Sequence, residues 1–81
     1  MRFRHTERSR DQVSSAPLHI QKALEKQLRL LVEDLRHPSL RAKKYDEAQD
    51  IRQARVTRGR RLYFQIHGDT YVILAVIPHP K

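Results

Sequence analysis

Apolar residues in the first half of the chain recur at intervals of three and four positions. Beginning near position 17, charged residues fill the places between them, which is the pattern of an amphipathic helix that buries one stripe. Pro17 suits a first helical turn, and Arg36-His37-Pro38 ends the pattern because a proline cannot continue the hydrogen-bond ladder. We therefore predict one helix over Pro17–Leu35. Its apolar stripe comprises Ile20, Leu24, Leu28, Leu31, Val32 and Leu35.

The second half of the chain changes to short runs that are rich in β-branched and aromatic residues. The runs at Ile51–Val56, Leu62–Ile66 and Tyr71–Ile77 are separated by Gly59 and by Gly68-Asp69. Such runs between glycine-containing turns are typical of adjacent antiparallel strands. We predict an α+β domain in which N-terminal helices pack on a C-terminal antiparallel β-sheet.

The loop at Gly68-Asp69 determines the register that we predict for the last two strands. A two-residue loop there makes cross-strand partners of His67 and Thr70, of Phe64 and Ile73, and of Arg61 and Val76. One face of these strands is then apolar and matches the leucine stripe of the helix. The predicted core face comprises Leu62, Phe64, Ile66, Tyr71, Ile73, Ala75 and Ile77, whereas Arg61, Tyr63 and Gln65 face away.

Two arginines are expected to face each other across the first hairpin. If Thr57-Arg58-Gly59 is a three-residue loop with glycine in the left-handed position, Arg55 lies directly opposite Arg61 on the face away from the core. Like charges in this position destabilise a sheet by up to about 1 kcal/mol, and a phosphate between them would reverse the sign. The alternative is a two-residue loop, which moves Arg55 to the other face.

Two segments carry weaker patterns. Residues 1–15 are polar and mixed in charge, and they include the only stretch that we consider a candidate for disorder. Ser39–Lys44 is interpreted as a basic connector ahead of the sheet. We predict a single domain over residues 1–81, with residues 1–14 as a weakly patterned N-terminal segment.

Charge and composition narrow the class of partner. Seventeen Lys and Arg against nine Asp and Glu leave a net charge of +8, which favours nucleic acid or an acidic protein as a partner. The alternative is that the charge only keeps a small protein soluble.

The chain has no cysteine, so disulfides are excluded. No apolar stretch approaches the length of a membrane span or a signal peptide, and we expect a cytoplasmic protein.

Three stretches of the sequence resemble the RelE/ParE superfamily of bacterial toxins, in particular its RelE-type mRNA interferases. They are LRHPSLRAKKY from Leu35, QARVTRGRRLYFQI from Gln53 and GDTYVILAVIPHPK from Gly68. The resemblance implies helices packed on an antiparallel sheet, and a toxin of a toxin–antitoxin system that is neutralised by a cognate antitoxin. One departure is Ser9, which lies where the first helix of relatives usually has an apolar anchor.

The resemblance also implies a metal-independent endoribonuclease that cleaves mRNA, either free or on the ribosome, without a cofactor. By that resemblance Arg55 and Arg61 hold the scissile phosphate, and His79 acts as general acid or base. An imidazole suits this role because it accepts and donates protons near neutral pH. The alternative for His79 is a solvated terminal residue between Pro78 and Pro80.

Further residues are candidates for binding RNA rather than for catalysis. Basic side chains ahead of the sheet and at the C-terminus could follow phosphates, and Tyr63 could stack on a base. The predicted RNA-binding set is Arg41, Lys43, Lys44, Tyr63 and Lys81. The remaining histidines, His5, His19, His37 and His67, have no partner at ligand spacing, so we predict no metal site.

Two other functions remain open at this point. One is a ParE-like toxin that is not a nuclease and inhibits DNA gyrase, because acid and base groups other than His79 are scarce. The other is a catalytically inactive protein that binds RNA or an antitoxin.

Overall fold

Two helices and a five-stranded sheet make up the structure, a computed structural model that describes residues 1–78. This arrangement confirms the predicted α+β class. No helix within this range is both long and apolar enough to cross a membrane. In chain order the elements are β1 (Arg2–His5), α1 (Glu7–Ser14), α2 (Leu18–Glu33), a 3₁₀ turn (Pro38–Leu40), β2 (Lys43–Asp46), β3 (Ile51–Thr57), β4 (Arg60–His67) and β5 (Thr70–Pro78).

The strand order in the sheet is β1-β5-β4-β3-β2. The predicted antiparallel meander of β3, β4 and β5 is confirmed and forms the centre. Two four-residue strands that the sequence did not reveal lie at the edges. β1 pairs in parallel with β5, and β2 pairs antiparallel with β3. The segments interpreted as a weakly patterned N-terminus and a basic connector therefore contribute both edges of the sheet.

Helix α2 packs its apolar stripe against one face of the sheet, which we call the core face. The helix spans Leu18–Glu33, so it begins one residue after and ends two residues before the predicted bounds. The opposite face, which we call the outer face, carries Gln53, Arg55, Arg61 and Tyr63. The core comprises Leu24, Leu28, Leu31, Leu40, Ala54, Val56, Leu62, Phe64, Tyr71, Ile73 and Val76.

Helix α1 continues the edge of the sheet where β1 stops. The Thr6 backbone N–H donates to the Ile73 carbonyl at 3.0 Å, and the Thr6 hydroxyl caps α1 by accepting from the Ser9 N–H. One turn further, the Val76 N–H donates to Oε1 of Gln12 at 2.8 Å. The buried Ser9 hydroxyl has partners in His5 Nδ1 and the Thr6 carbonyl. These bonds satisfy the buried hydroxyl, which is why a polar residue is accommodated at this position.

The register between β4 and β5 shifts by one residue at a β-bulge. The predicted pairs hold from His67–Thr70 to Phe64–Ile73, but Leu74 has no partner and Tyr63 pairs with Ala75. Because side chains alternate along a strand, the extra residue exchanges the faces beyond it. Arg61 therefore lies opposite Ile77, and the predicted pairing with Val76 is wrong. Placing Ala75 and Ile77 on the core face was also wrong: Val76 takes that position and is 1% exposed, whereas Ala75 is buried on the outer face.

The hairpin between β3 and β4 confirms the predicted Arg55–Arg61 pair, but for a different reason. Thr57 pairs with Arg60, so the loop has two residues, and Val56 is the extra residue of a second bulge. The bulge restores the register that a two-residue loop alone would have shifted. Gly59 does not have the left-handed conformation that we predicted, whereas Gly68 has a φ of 62° at the first position of its loop.

Candidate functional site

Arg55 and Arg61 are direct cross-strand partners on the outer face, and both are half-buried. The next pair along the same face is Gln53 with Tyr63, and the edge strand β2 adds Lys43 opposite Gln53. The three ion pairs found among residues 1–78 involve none of these cations. Their charge is left for a partner to neutralise.

A small cavity of about 180 Å³, which we call the cationic cavity, lies at this end of the outer face. It is lined by Arg41, Lys43, Gln53 and Arg61, and so brings together three of the predicted site residues. Three cations and a neutral amide, without a carboxylate, form a lining that suits an oxyanion such as a phosphate. Lys43 reaches the cavity only because β2 pairs with β3, which the sequence did not reveal.

The guanidinium of Arg61 is held from one side by the hairpin loop. Its Nη1 donates to the carbonyl of Thr57 at 2.8 Å and to that of Arg60 at 3.0 Å. A guanidinium has five N–H donors, so the Nε and Nη2 groups remain for another acceptor. This anchoring limits the rotamers of Arg61 before any ligand binds and lowers the entropic cost of binding a phosphate.

Arg41 lies where the 3₁₀ turn joins β2, and its backbone is left-handed with φ 47° and ψ 42°. For a residue with a Cβ atom this conformation costs about 1–2 kcal/mol. Such strain is often found at functional sites. Here it accompanies a side chain that lines the cationic cavity.

A second cavity of about 500 Å³, which we call the helix-side cavity, lies between α2 and the β3–β4 hairpin. Lys26, Arg41, Arg55 and Arg58 contribute to its lining. Arg41 lines both cavities, so the two are neighbours. The result is a continuous set of basic residues from α2 to the edge of the sheet.

The buried amide of Gln27 holds the wall of the helix-side cavity together. Its Nε2 donates to the Arg55 carbonyl at 2.8 Å and to the Ser39 carbonyl at 3.2 Å. These two bonds connect α2 to β3 and to the 3₁₀ turn. The sequence reasoning missed this residue, although a glutamine on the apolar side of a predicted helix is a signal that it has a buried partner.

Lys44 is not brought together with the other predicted residues. It pairs with Arg52, whose neighbour across the sheet is the core residue Phe64, so Lys44 lies on the other side of the sheet from Lys43. Lys44 forms an ion pair with Asp50, and this hydrogen bond lowers the pKa of the Asp50 carboxyl.

Tyr63 lies on the outer face as predicted, but its side chain is only 8% exposed. Its ring packs edge-on against Tyr45 with the centroids 4.8 Å apart. Burial raises the pKa of the Tyr63 hydroxyl, and Arg61 opposes this shift. The exposed aromatic side chain of the pair is Tyr45, at 61%, which the sequence reasoning did not select.

The predicted residues His79 and Lys81 lie outside the described residues. Of the other histidines, none lines the cationic cavity or the helix-side cavity, whereas His37 lines a neighbouring cavity together with Arg36, Arg41, Lys43 and Arg52. Within residues 1–78 no group of three or more histidine and acidic side chains could hold a metal ion.

Comparisons with known proteins identify the fold. No protein-family model matches the sequence, and no curated protein does so either. Solved structures do match over nearly the whole chain. A YoeB/ParE toxin from Agrobacterium tumefaciens superposes with a TM-score of 0.82 at 12% identity, covering 99% of this chain and 100% of that one. YafQ from E. coli gives 0.78 at 13% identity, covering 95% of this chain and 91% of that one.

A third structure has a higher sequence identity. It is the toxin–antitoxin complex RelBE2 from Mycobacterium tuberculosis, where a chain superposes with a TM-score of 0.73 at 27% identity, covering 95% of both chains. The two-helix, five-strand arrangement of the present chain is thus the RelE/ParE-like toxin fold, as the sequence resemblance implied.

Proposed function

We propose that this chain is the toxin of a toxin–antitoxin pair and acts as a metal-independent endoribonuclease on mRNA. The observation that carries the proposal is the cross-strand pair of Arg55 and Arg61 beside the cationic cavity. Folding alone does not favour two guanidinium groups in this position, whereas a phosphate bound there stabilises both. The toxin fold supports the same function.

The chemistry assigns different tasks to different residues. When RNA is cleaved by its own 2′-hydroxyl, negative charge develops on the oxygens around phosphorus, and positioned cations stabilise that charge. Arg55 and Arg61 take this role in the proposal, and Arg41 and Lys43 hold the neighbouring backbone. Proton transfer requires a titrating group, for which His79 is the proposed residue.

The proposed protein partner is an acidic antitoxin. A net charge of +8 favours such a partner, and a solved structure with the same fold is a toxin–antitoxin complex. Binding of an acidic segment over the cationic cavity would exclude RNA by occupying the same groups.

The test is an RNA-cleavage assay of the purified protein on mRNA with and without ribosomes. We expect cleavage in the presence of a chelator. A faster rate with ribosomes would identify ribosome-bound mRNA as the substrate, and a slower rate would identify free mRNA. His79→Ala should lower the rate by about 100-fold or more at unchanged RNA affinity. Absence of cleavage on both substrates would reject the nuclease function.

One observation favours a second candidate. No histidine or carboxylate among residues 1–78 lines the cationic cavity or the helix-side cavity, so acid and base groups are scarce. The alternative is therefore a ParE-like toxin that inhibits DNA gyrase. Translation and gyrase supercoiling assays run side by side distinguish the two. Salt-sensitive RNA binding without product or gyrase inhibition would instead indicate an inactive RNA-binding protein.

A further inference from the structure

A pocket of about 250 Å³ lies on the outer face next to the cationic cavity, and we call it the aromatic pocket. It is lined by two tyrosines, Tyr45 and Tyr63, and by aliphatic side chains. Arg8 of α1 is the charged residue in its lining, and the part of the chain that the structure describes contributes no carboxylate. The aliphatic lining comprises Ile51, Leu74, Ala75 and Ile77.

Two local irregularities build this pocket. The pairing of β2 with β3 is irregular between Lys44 and Asp46, so Tyr45 lies in a bulge, which can re-aim a side chain. The bulge at Leu74 turns Ala75 and Ile77 to the outer face. Without the bulge at Leu74, Ala75 and Ile77 would lie on the core face and would not line the pocket.

Tyr45 is one of the large apolar side chains that the fold leaves exposed. It is 61% exposed although it packs against Tyr63, so one side of its ring remains open to solvent. An exposed aromatic side chain beside an aliphatic surface has unsatisfied apolar area that a flat ligand can cover.

The aromatic pocket and the cationic cavity are aligned along the strands. Tyr45 is two residues from Lys43 on β2, and Tyr63 is two residues from Arg61 on β4. Residues two apart on a strand share a face and are separated by about 7 Å. A single strand of nucleic acid presents phosphates and bases at neighbouring positions, so the two sites can be filled by one ligand.

We propose that the aromatic pocket receives one unpaired base of the bound RNA, with Tyr45 as the stacking residue, while the adjacent phosphate occupies the cationic cavity. This inference rests on the proposed RNA substrate and adds a second subsite to it. Stacking is tolerant of base identity because every base has a π-face, and an aliphatic lining offers few hydrogen bonds for discrimination. The pocket therefore fixes the position of the strand more than its sequence.

The combination of an apolar pocket with neighbouring cations favours RNA over an acidic protein as the occupant. The carboxylates of an acidic segment would gain from the cations, but they would gain nothing from a pocket that is mainly aromatic and aliphatic. A base with its phosphate uses both parts at once, and Arg8 at the rim favours an anionic strand.

The experiment is an abasic scan. The probe is a short single-stranded RNA with 2′-O-methyl groups, which cannot be cleaved through its 2′-oxygen, and each position in turn lacks its base. We expect the wild-type protein to lose affinity at one position by roughly 5- to 150-fold, the range for one stacked base. Tyr45→Ala should lose the same factor on the intact probe and show no further loss on that abasic probe.

Two controls separate stacking from other effects. Tyr45→Phe keeps the ring and should bind like the wild type. Leu18→Ala removes another exposed apolar side chain, 65% exposed at the start of α2, and should change nothing. Tyr45→Ala should leave the salt dependence of binding unchanged, since it removes no phosphate contact.

Each remaining outcome is decisive. If Tyr45→Ala and the wild type bind RNA with equal affinity, the pocket does not bind a base. This holds even if the variant binds an antitoxin less tightly, a result that would make the pocket part of a protein interface. Cleavage by the wild type without position-dependent abasic loss rejects the pocket and keeps the nuclease. Position-dependent loss without cleavage keeps the pocket and rejects the nuclease, and no RNA binding at all rejects both.

Discussion

Arg55 on β3 lies directly opposite Arg61 on β4, on the face of the sheet that α2 leaves uncovered. The pairing depends on the bulge at Val56, which compensates for a two-residue loop. A regular hairpin with the same loop would separate the two side chains to opposite faces. The bulge thus determines whether the two arginines share a face of the sheet.

The role of Arg61 can be tested against its neighbour in the sequence. Arg61→Ala should lower RNA cleavage by about 100-fold or more, because a positioned cation at the developing charge is lost. Arg60 carries the same charge, but side chains alternate along β4, and Arg60 shares the side of the core residue Leu62. Arg60→Ala should therefore retain most of the activity.

Stability must be measured on the same two variants. Arg61 also donates to the Thr57 and Arg60 carbonyls, and its loss should lower the free energy of unfolding by about 1 kcal/mol. Equal activities of the two variants would contradict the assignment of Arg61.

Lys43 and Lys44 form a second matched pair. Only Lys43 lines the cationic cavity, whereas Lys44 is paired with Asp50 on the other side of the sheet. Lys43→Ala should reduce the slope of log affinity against log salt by about 0.7 for single-stranded RNA. Lys44→Ala should leave that slope unchanged. The measurement is a salt titration of RNA binding. A smaller slope for Lys44→Ala and an unchanged slope for Lys43→Ala would contradict the prediction, because the RNA would then bind on the core-face side of the sheet.

Two substitutions of Arg41 should separate its effect on RNA binding from its effect on stability. Arg41→Ala and Arg41→Gly both remove the guanidinium and should weaken RNA binding to a similar extent. Glycine adopts the left-handed backbone without steric cost, so Arg41→Gly should be more stable than Arg41→Ala by about 1 kcal/mol. Urea unfolding measures the difference. Identical stabilities would show that the strain at Arg41 is negligible.

Gln27 is expected to be important for folding. Gln27→Met keeps the volume but leaves the Ser39 and Arg55 carbonyls without their donor, which should cost about 1–3 kcal/mol in the free energy of unfolding. Gln65→Met is the control, because the Gln65 amide bonds to the exposed carbonyl of Gln49, which water can hydrate instead. A similar small effect of both changes would contradict the structural role of Gln27.

His5 should make the stability depend on pH. Burial, and to a lesser extent Arg10, lowers the pKa of the His5 imidazole in the folded state below its usual value of 6.5. The unfolded chain then binds a proton more readily than the folded one, so folding loses stability as the pH falls through about 6.5. His5→Asn, which keeps a polar partner for Ser9, should show a smaller drop in melting temperature on acidification. An equal drop would exclude His5 as a cause.

The helix and the central meander could be predicted from the sequence because their signals are local. A stripe at helical spacing identifies α2, and alternation between glycine turns identifies β3, β4 and β5. The facing arginines were predicted from a three-residue loop that the structure does not have, and their pairing depends instead on the bulge at Val56. The sequence resemblance pointed to the fold that the solved structures then identified.

Only the tertiary structure revealed the edges and the irregularities of the sheet. β1 is too short to be identified alone and forms because β5, from the other end of the chain, offers it a free edge. The bulges at Val56 and Leu74 each exchange the faces of the residues beyond them, and no local pattern marks them. The bulge at Val56 decides that Arg61 lies on the same surface as Lys43, and the bulge at Leu74 brings Ala75 and Ile77 to that surface. The reason is that a shift of one residue in a sheet moves a side chain to the opposite face.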